Sequence, residues 1–150
     1  MKKLLLLASV LITSATFISS PYGSSINEAP TSKLEQGNGK YDAVIAEAFF
    51  NHESNLQVHG RGVVIRLLTD DNKGSRHQRF IIRLSSGQTL LITHNIDLAP
   101  RINTLDIGDA VEFYGEYEWN KQGGLIHWTH HDPAGSHVAG WLIHQGQRYQ

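Results

Sequence analysis

Cysteine is absent from this chain, and its absence excludes disulfide bonds, a thiol nucleophile and a thiolate metal site. The folded protein must therefore be stabilised by its core. The sequence also contains no GxSxG motif, no phosphate-binding loop and no dinucleotide-binding fingerprint, so acyl transfer by a serine nucleophile and nucleotide-driven chemistry are unsupported. Charge of one sign is not in excess either, because 13 basic residues oppose 14 acidic ones. The chain lacks the global basic footprint of a nucleic-acid-binding protein.

Long hydrophobic runs are missing apart from one at the start of the chain. Residues 4–12 are mainly aliphatic, follow two lysines and precede three small residues, which is a pattern typical of a secretory signal peptide. A membrane-spanning helix needs about 20 apolar residues, so this run is too short to be one. We expect residues 1–20 to be a signal peptide and the mature protein to be periplasmic or secreted. No membrane-spanning segment is then expected to remain after cleavage.

The next part of the chain predicts a tether followed by a helix. Residues 21–40 are rich in Ser, Gly, Pro, Asn and Gln and have almost no apolar periodicity, which is typical of a flexible tether. From Tyr41 to Phe49 apolar residues recur at helical spacing, and this periodicity predicts an amphipathic helix that ends near residue 51. The length of 150 residues is enough for one domain, which we place at residues 41–150.

After residue 55 the sequence predicts short strands. β-branched and aromatic residues dominate five segments separated by turn residues, at 58–68, 79–84, 88–93, 110–119 and 125–131. Gly60 and Gly62 suit a sharply bent first strand. An irregular connection or a short helix is expected at 98–107, and a last apolar piece at 138–144 caps the barrel or adds a strand.

This order of elements predicts a mainly β fold. It is the order of a small five-stranded barrel like the oligonucleotide/oligosaccharide-binding (OB) fold, here with one N-terminal amphipathic helix. A six-stranded open barrel or a β-sandwich would give a similar pattern.

The segment HWTHHDPAGSH, at residues 127–137, contains four imidazoles and one carboxylate. Alternation along a strand places His127 and His131 on one face, Asp132 follows at once, and the loop after Pro133 can bring His137 back toward them. His/Asp sets of this kind bind zinc or another divalent transition metal. The spacing matches no standard zinc motif, so it indicates a site without identifying the metal.

Two more candidate ligands lie where the third predicted strand ends, because the ends of the third and fifth strands can approach in such a barrel. The predicted metal ligands are therefore His94, Asp97, His127, His131, Asp132 and His137. The alternative is that the histidines of this segment lie on the surface beside a turn, with His130 a hydrogen-bonded core residue. His94 and Asn95 are then turn residues that bond the backbone.

Two functions are compatible with these residues. If one position on the metal stays open, a bound water of lowered pKa can attack a phosphodiester, with Arg79 or Arg83 stabilising the developing charge. Alternatively, the barrel is a non-enzymatic periplasmic binding module for an oligosaccharide or other glycan, a nucleic acid or a protein. The ligand-binding candidates are then Arg61, Tyr114, Tyr117 and Trp119, because arginines and stacking aromatics bind single strands.

Glu116 and Glu118 share a face of the fourth predicted strand. Paired carboxylates can bind a cation, but acidic residues on an exposed strand face are usually only solvated. The predicted ligand set therefore leaves them out.

The strings HNIDLAP and HWTHHDP, together with HQRFIIRL and GDAVEFYGEYEWN, resemble a family of small exported bacterial proteins of unknown function. The resemblance covers residues 41–150. It implies a Gram-negative source and an envelope or secreted location, and it implies no activity.

Overall fold

The computed structural model of the protein describes the backbone of residues 32–150 and the side chains of residues 39–150. Residues 32–150 contain one helix and seven strands. The elements are α1 (Ser32–Asn51), β1 (Leu56–Leu67), β2 (His77–Leu84), β3 (Thr89–Asn95), β4 (Ala110–Glu118), β5 (Leu125–His127), β6 (Trp141–His144) and β7 (Gln147–Tyr149). The predicted signal peptide, residues 1–20, and residues 21–31 of the predicted tether lie outside the described residues.

Five strands close into a barrel. β1 pairs antiparallel with β2 and β4, β2 pairs antiparallel with β3, and β5 closes the ring by a parallel pairing with β3 and an antiparallel pairing with β4. The ring order β1-β2-β3-β5-β4 is that of the OB barrel. The prediction of a mainly β, five-stranded OB-like barrel with an N-terminal helix is confirmed.

The first strand bends as its glycines predicted. β1 pairs with β4 along its first part and with β2 along its second part, and a bulge lies between Val64 and Arg66. A Cβ atom at Gly60 would lie 2.5 Å from the ring of Phe113, so only glycine allows this close approach of the strand to the core.

The core fills the barrel with alternating residues of each strand. Phe80 and Ile82 of β2, Phe113 and Tyr117 of β4, and Ile126 of β5 are fully buried, while the residues between them face outward. Burying side chains of this size contributes about 1.5–3 kcal/mol each. The alternation therefore determines which side chains reach the outer face of the barrel.

The helix begins earlier than the apolar periodicity predicted. α1 begins at Ser32, so residues 32–40 of the predicted tether are helical. The sequence contains a helix-start pattern there, Ser32 followed three residues later by Glu35, which apolar periodicity does not detect. The helix docks through Asp42, whose Oδ2 accepts hydrogen bonds from the hydroxyl of Ser85 and the N–H of Ser86. Within residues 32–150 no helix is both long and apolar enough to cross a membrane.

The last predicted strand is shorter than expected. β5 ends at His127 rather than at residue 131, because Trp128 has a positive φ of 51° that turns the chain out of the sheet. The connection at 96–109 contains no helix, and the apolar piece at 138–144 adds the strand β6, which pairs with β4. Residues 128–140 thus form a loop between two strands that lie against the same edge of β4.

Gly140 at the end of this loop offers a test of the packing. A Cβ atom there would collide with the carbonyl oxygens of Trp128 and Tyr114, which are backbone atoms that cannot move aside alone. We expect Gly140→Ala to lower the free energy of unfolding by about 3 kcal/mol, as overpacking does. Urea denaturation measures the loss.

The matched control is Gly39→Ala, because the helical Gly39 has no neighbour within 4 Å of a built Cβ. This variant should gain about 0.5–1 kcal/mol from the better helix propensity of alanine. If Gly140→Ala is as stable as the wild type, Gly140 does not pack against the backbone of Trp128 and Tyr114.

Candidate functional site

A group of possible metal ligands lies on the outer face of the barrel where β4 meets β5. Glu116 and Glu118 of β4 and His127 of β5 each offer one ligand atom, and these atoms all lie within 4.8 Å of one another. The antiparallel register sets Glu116 directly opposite His127. Among the residues that the structure describes, this is the one such group of three or more.

The separations within the group suit a small divalent ion. His127 Nε2 lies 3.2 Å from Glu116 Oε1 and 3.7 Å from Glu118 Oε1. Tetrahedral ligands about 2.0–2.1 Å from zinc lie about 3.3–3.4 Å from one another. The two separations from His127 are close to this edge length, and the two carboxylate oxygens lie within 4.8 Å of each other.

His137 forms a hydrogen bond with the second carboxylate oxygen of Glu116. Its Nε2 lies 2.5 Å from Glu116 Oε2, and its Nδ1 lies 2.9 Å from the carbonyl oxygen of Val138. Both partners are acceptors when Glu116 is ionised, so both ring nitrogens must donate and His137 is then an imidazolium. The carboxylate is thereby held between two imidazoles, with Oε1 turned toward His127.

The pKa values of this pair move in the directions that an ion pair requires. Partial burial raises the pKa of Glu116, but the hydrogen bond from His137 and the nearby charge of His127 outweigh it and lower that pKa. Burial likewise lowers the pKa of His137, yet its hydrogen bonds to Glu116 and to the carbonyl of Val138 raise the pKa overall.

The loop that carries His137 is organised by an aspartate and a tryptophan. Asp132 accepts hydrogen bonds from the backbone N–H groups of Ala134, Ser136 and His137, and these bonds lower the pKa of its carboxyl group to about 2. The indole of Trp128 stacks on the His137 ring, with centroids 4.1 Å apart and planes 6° from parallel. An aromatic face attracts an imidazolium, so Trp128 holds His137 in place.

The structure brings only one of the six predicted ligands, His127, into the group. His131 is exposed. The predicted alignment of His131 with His127 on one strand face does not occur, because β5 ends at His127. Asp132 is occupied by its own loop, and Asp97 accepts hydrogen bonds from the backbone and guanidinium of Arg76. His137 reaches the site, but through Glu116.

His94 lies in the core and not at this site. It is fully buried, with Nδ1 2.8 Å from the hydroxyl of Thr129 and Nε2 3.1 Å from the carbonyl oxygen of Pro100. Burial, with the nearby charges of His130 and His77, lowers the pKa of His94 to about 4. It is a neutral core residue with both nitrogens bonded.

The two arginines predicted to stabilise a transition state are directed elsewhere. Arg79 donates from Nε and Nη2 to the carbonyl oxygen of Thr69. Arg83 shares a cross-strand row with Val63 and Ala110, and Ala110 lies six residues before Glu116 on β4, which is about 20 Å along the strand. Neither guanidinium joins the carboxylates.

The predicted ligand-binding residues do not form one face. Tyr117 is fully buried and donates its hydroxyl hydrogen to the carbonyl of Gly123. Trp119 packs under the helix, with Nε1 donating to the carbonyl of Phe49. Arg61 and Tyr114 do face outward, so the predicted stacking surface lacks two of its three aromatic rings.

Glu116 and Glu118 are the candidate ligands that the sequence prediction left out. A signal for them was present, because a hairpin with its turn at residues 119–124 pairs residue 116 with residue 127. An outward carboxylate paired with an outward imidazole indicates a possible metal site and not only two solvated side chains. No comparable signal existed for His137, whose position depends on an irregular loop.

Together the fold and this cluster define a small closed β-barrel protein with a group of carboxylates and imidazoles on its outer wall. The family model described as protein of unknown function (DUF3465) matches residues 31–150, and the chain belongs to that family. The resemblance to a family of unknown function is thereby confirmed. No curated protein matches the chain significantly.

Because His94 is buried in its neutral form, we expect the folded state to lose stability in acid. Its pKa is about 4 when folded and near 6.5 when unfolded, so the unfolded chain binds more protons between these values and stability falls as the pH drops from 6.5 to 4. A shift of this size corresponds to about 3 kcal/mol. Urea midpoints measured at pH 7 and pH 4 give the loss.

The variant His94→Gln lacks the titrating ring and should lose that part of the pH dependence, whatever its own stability. His131→Ala is the control, because the exposed His131 should leave the profile unchanged. If the stability of His94→Gln falls between pH 7 and pH 4 as much as that of the wild type, the pH dependence arises from other groups.

Proposed function

We propose that this protein binds a divalent transition metal ion through Glu116, Glu118 and His127, and that it does so after export from the cytoplasm. The observation that carries the proposal is the meeting of three ligand atoms from two paired strands within 4.8 Å. Export is supported by the signal-peptide pattern of residues 1–20.

Zinc is the ion that the donor set favours. One imidazole and two carboxylates offer the nitrogen and oxygen donors that zinc accepts, whereas calcium prefers six to eight oxygens and magnesium retains most of its waters. Manganese and iron accept the same donors, so the selectivity between transition metals follows from geometry.

His137 acts on this site as a positioning residue. It holds Glu116 Oε2 and leaves Oε1 toward His127. Groups that orient a ligand in this way typically raise metal affinity 10–100-fold.

The proposal predicts which residues zinc binding needs. Purified protein loaded with zinc at neutral pH and dialysed should retain one ion per chain by elemental mass spectrometry. His127→Ala and Glu118→Gln should each retain roughly 0.1 ion or less, because each removes one of three ligands. His137→Ala should still bind, with affinity lower by about 10–100-fold in calorimetry.

The matched control is His131→Ala, which removes an exposed histidine from the same segment. We expect it to bind zinc as the wild type does. Loss of zinc in His131→Ala with retention in His127→Ala would overturn the assignment.

Metal removal gives a second test that is independent of stoichiometry. A ligand that binds only the folded state stabilises it by about 2.7 kcal/mol when its concentration is 100 times its Kd. Zinc should therefore raise the melting temperature of the wild type, and EDTA should reverse the rise. The melting temperature of Glu118→Gln should respond to neither, and an equal response there would place the ion elsewhere.

Metal-dependent phosphodiester hydrolysis is the second candidate function. It is favoured by the number of ligands, because catalytic zinc sites have three protein ligands and a water in the fourth position. The arginines predicted for this chemistry lie elsewhere, so the metal itself must supply the charge stabilisation. Hydrolysis of bis(p-nitrophenyl) phosphate by zinc-loaded wild type, and not by His127→Ala, is the expected result.

A further inference from the structure

A second site of different chemistry lies on the outer face of β1, away from the carboxylates. It is a groove of about 470 Å³, a size within the range of small-molecule pockets. Its floor is aliphatic, formed by Val63, Ile65, Leu84 and Ala110. Val63 is a large apolar residue that remains 45% exposed there.

Two arginines border this floor. Arg83 lies directly opposite Val63 on β2, and Arg61 precedes Val63 by two residues on β1, so the two guanidinium groups are diagonal neighbours on one sheet face. Like charges at such positions repel each other. The edge of the groove therefore carries two positive charges, although the whole chain has a net charge of −1.

Neither of these two arginines is held in an ion pair by the side chains that the structure describes around it, whereas Arg76 and Arg101 each form one. Glu112 lies directly opposite Arg61 on β4, but its carboxylate is held 2.7 Å from His59 Nε2. The groove is therefore apolar at its floor and cationic at its border.

We infer that this groove binds a free medium-chain fatty acid, with the carboxylate on Arg61 and Arg83 and the alkyl chain on Val63, Ile65 and Ala110. A guanidinium binds a carboxylate through two parallel hydrogen bonds. An alkyl chain covers the exposed aliphatic floor and gains affinity with each methylene that leaves water. The inference does not depend on the metal site, which uses other residues.

The test is a titration of the purified protein with decanoate below its micelle concentration, followed by amide NMR shifts and calorimetry. Saturable shifts are expected at Val63, Ser85 and Ala110, which line the groove. Octanoate should shift the same amides with affinity lower by about tenfold, because it buries two fewer methylenes. Acetate and decyltrimethylammonium should give no saturable shift.

Variants separate the charge from the apolar floor. Arg61→Gln and Arg83→Gln should each weaken decanoate by about tenfold, because each removes a charge-assisted hydrogen-bonding group. The matched control is Arg101→Gln, which removes the same charge from an arginine paired with Asp70 and should bind as the wild type does. Val63→Asp should abolish binding.

Several results would overturn the inference. Binding of acetate as tight as that of decanoate would show an anion site only, and equal binding of decyltrimethylammonium would show an apolar patch without charge recognition. Unchanged decanoate affinity in both Arg61→Gln and Arg83→Gln would show that the groove does not bind the carboxylate. The absence of any saturable shift would show that the groove does not bind decanoate. Glu118→Gln should bind decanoate normally, so failure of this inference is distinguishable from failure of the metal proposal.

Discussion

The contact between β4 and the end of β5 determines most of what is chemically distinctive in this molecule. A Cβ atom at Gly115 would lie 2.5 Å from the carbonyl oxygen of His127, so only glycine lets the two strands approach this closely. Immediately beyond this contact the chain leaves the sheet through the positive φ of Trp128. The same approach sets His127 opposite Glu116 and starts the loop that returns His137 to the other oxygen.

Glu116 at this contact is held by an imidazole from the loop. Glu116 and Glu118 occupy neighbouring outward positions of one strand, so their carboxylates repel each other. The imidazolium of His137 offsets the charge of Glu116 and is itself held by Trp128 and Val138. This arrangement holds Glu116 with Oε1 toward His127, and in the proposed metal site such preorganisation lowers the cost of binding.

The barrel was predictable from sequence because its determinants are local. Alternation along β2 and β4, and the glycines that bend β1, each specify a face or a bend within a few residues. The metal candidates were harder to predict because they depended on extending alternation past His127. A positive φ is uncommon for a bulky residue such as Trp128, so no pattern in the sequence indicates that the strand stops there. His94 was misplaced for a related reason, since its partners Thr129 and Pro100 come from distant segments.

The loop between β5 and β6 is not needed to close the barrel. Because β1 occupies one edge of β4, both β5 and β6 lie along the other edge, and the barrel closes without residues 131–139. Most of that loop is exposed and is held by its own Asp132. A change in the length or composition of this loop would therefore alter how Glu116 is held, while the strands that present Glu116 and His127 keep their positions.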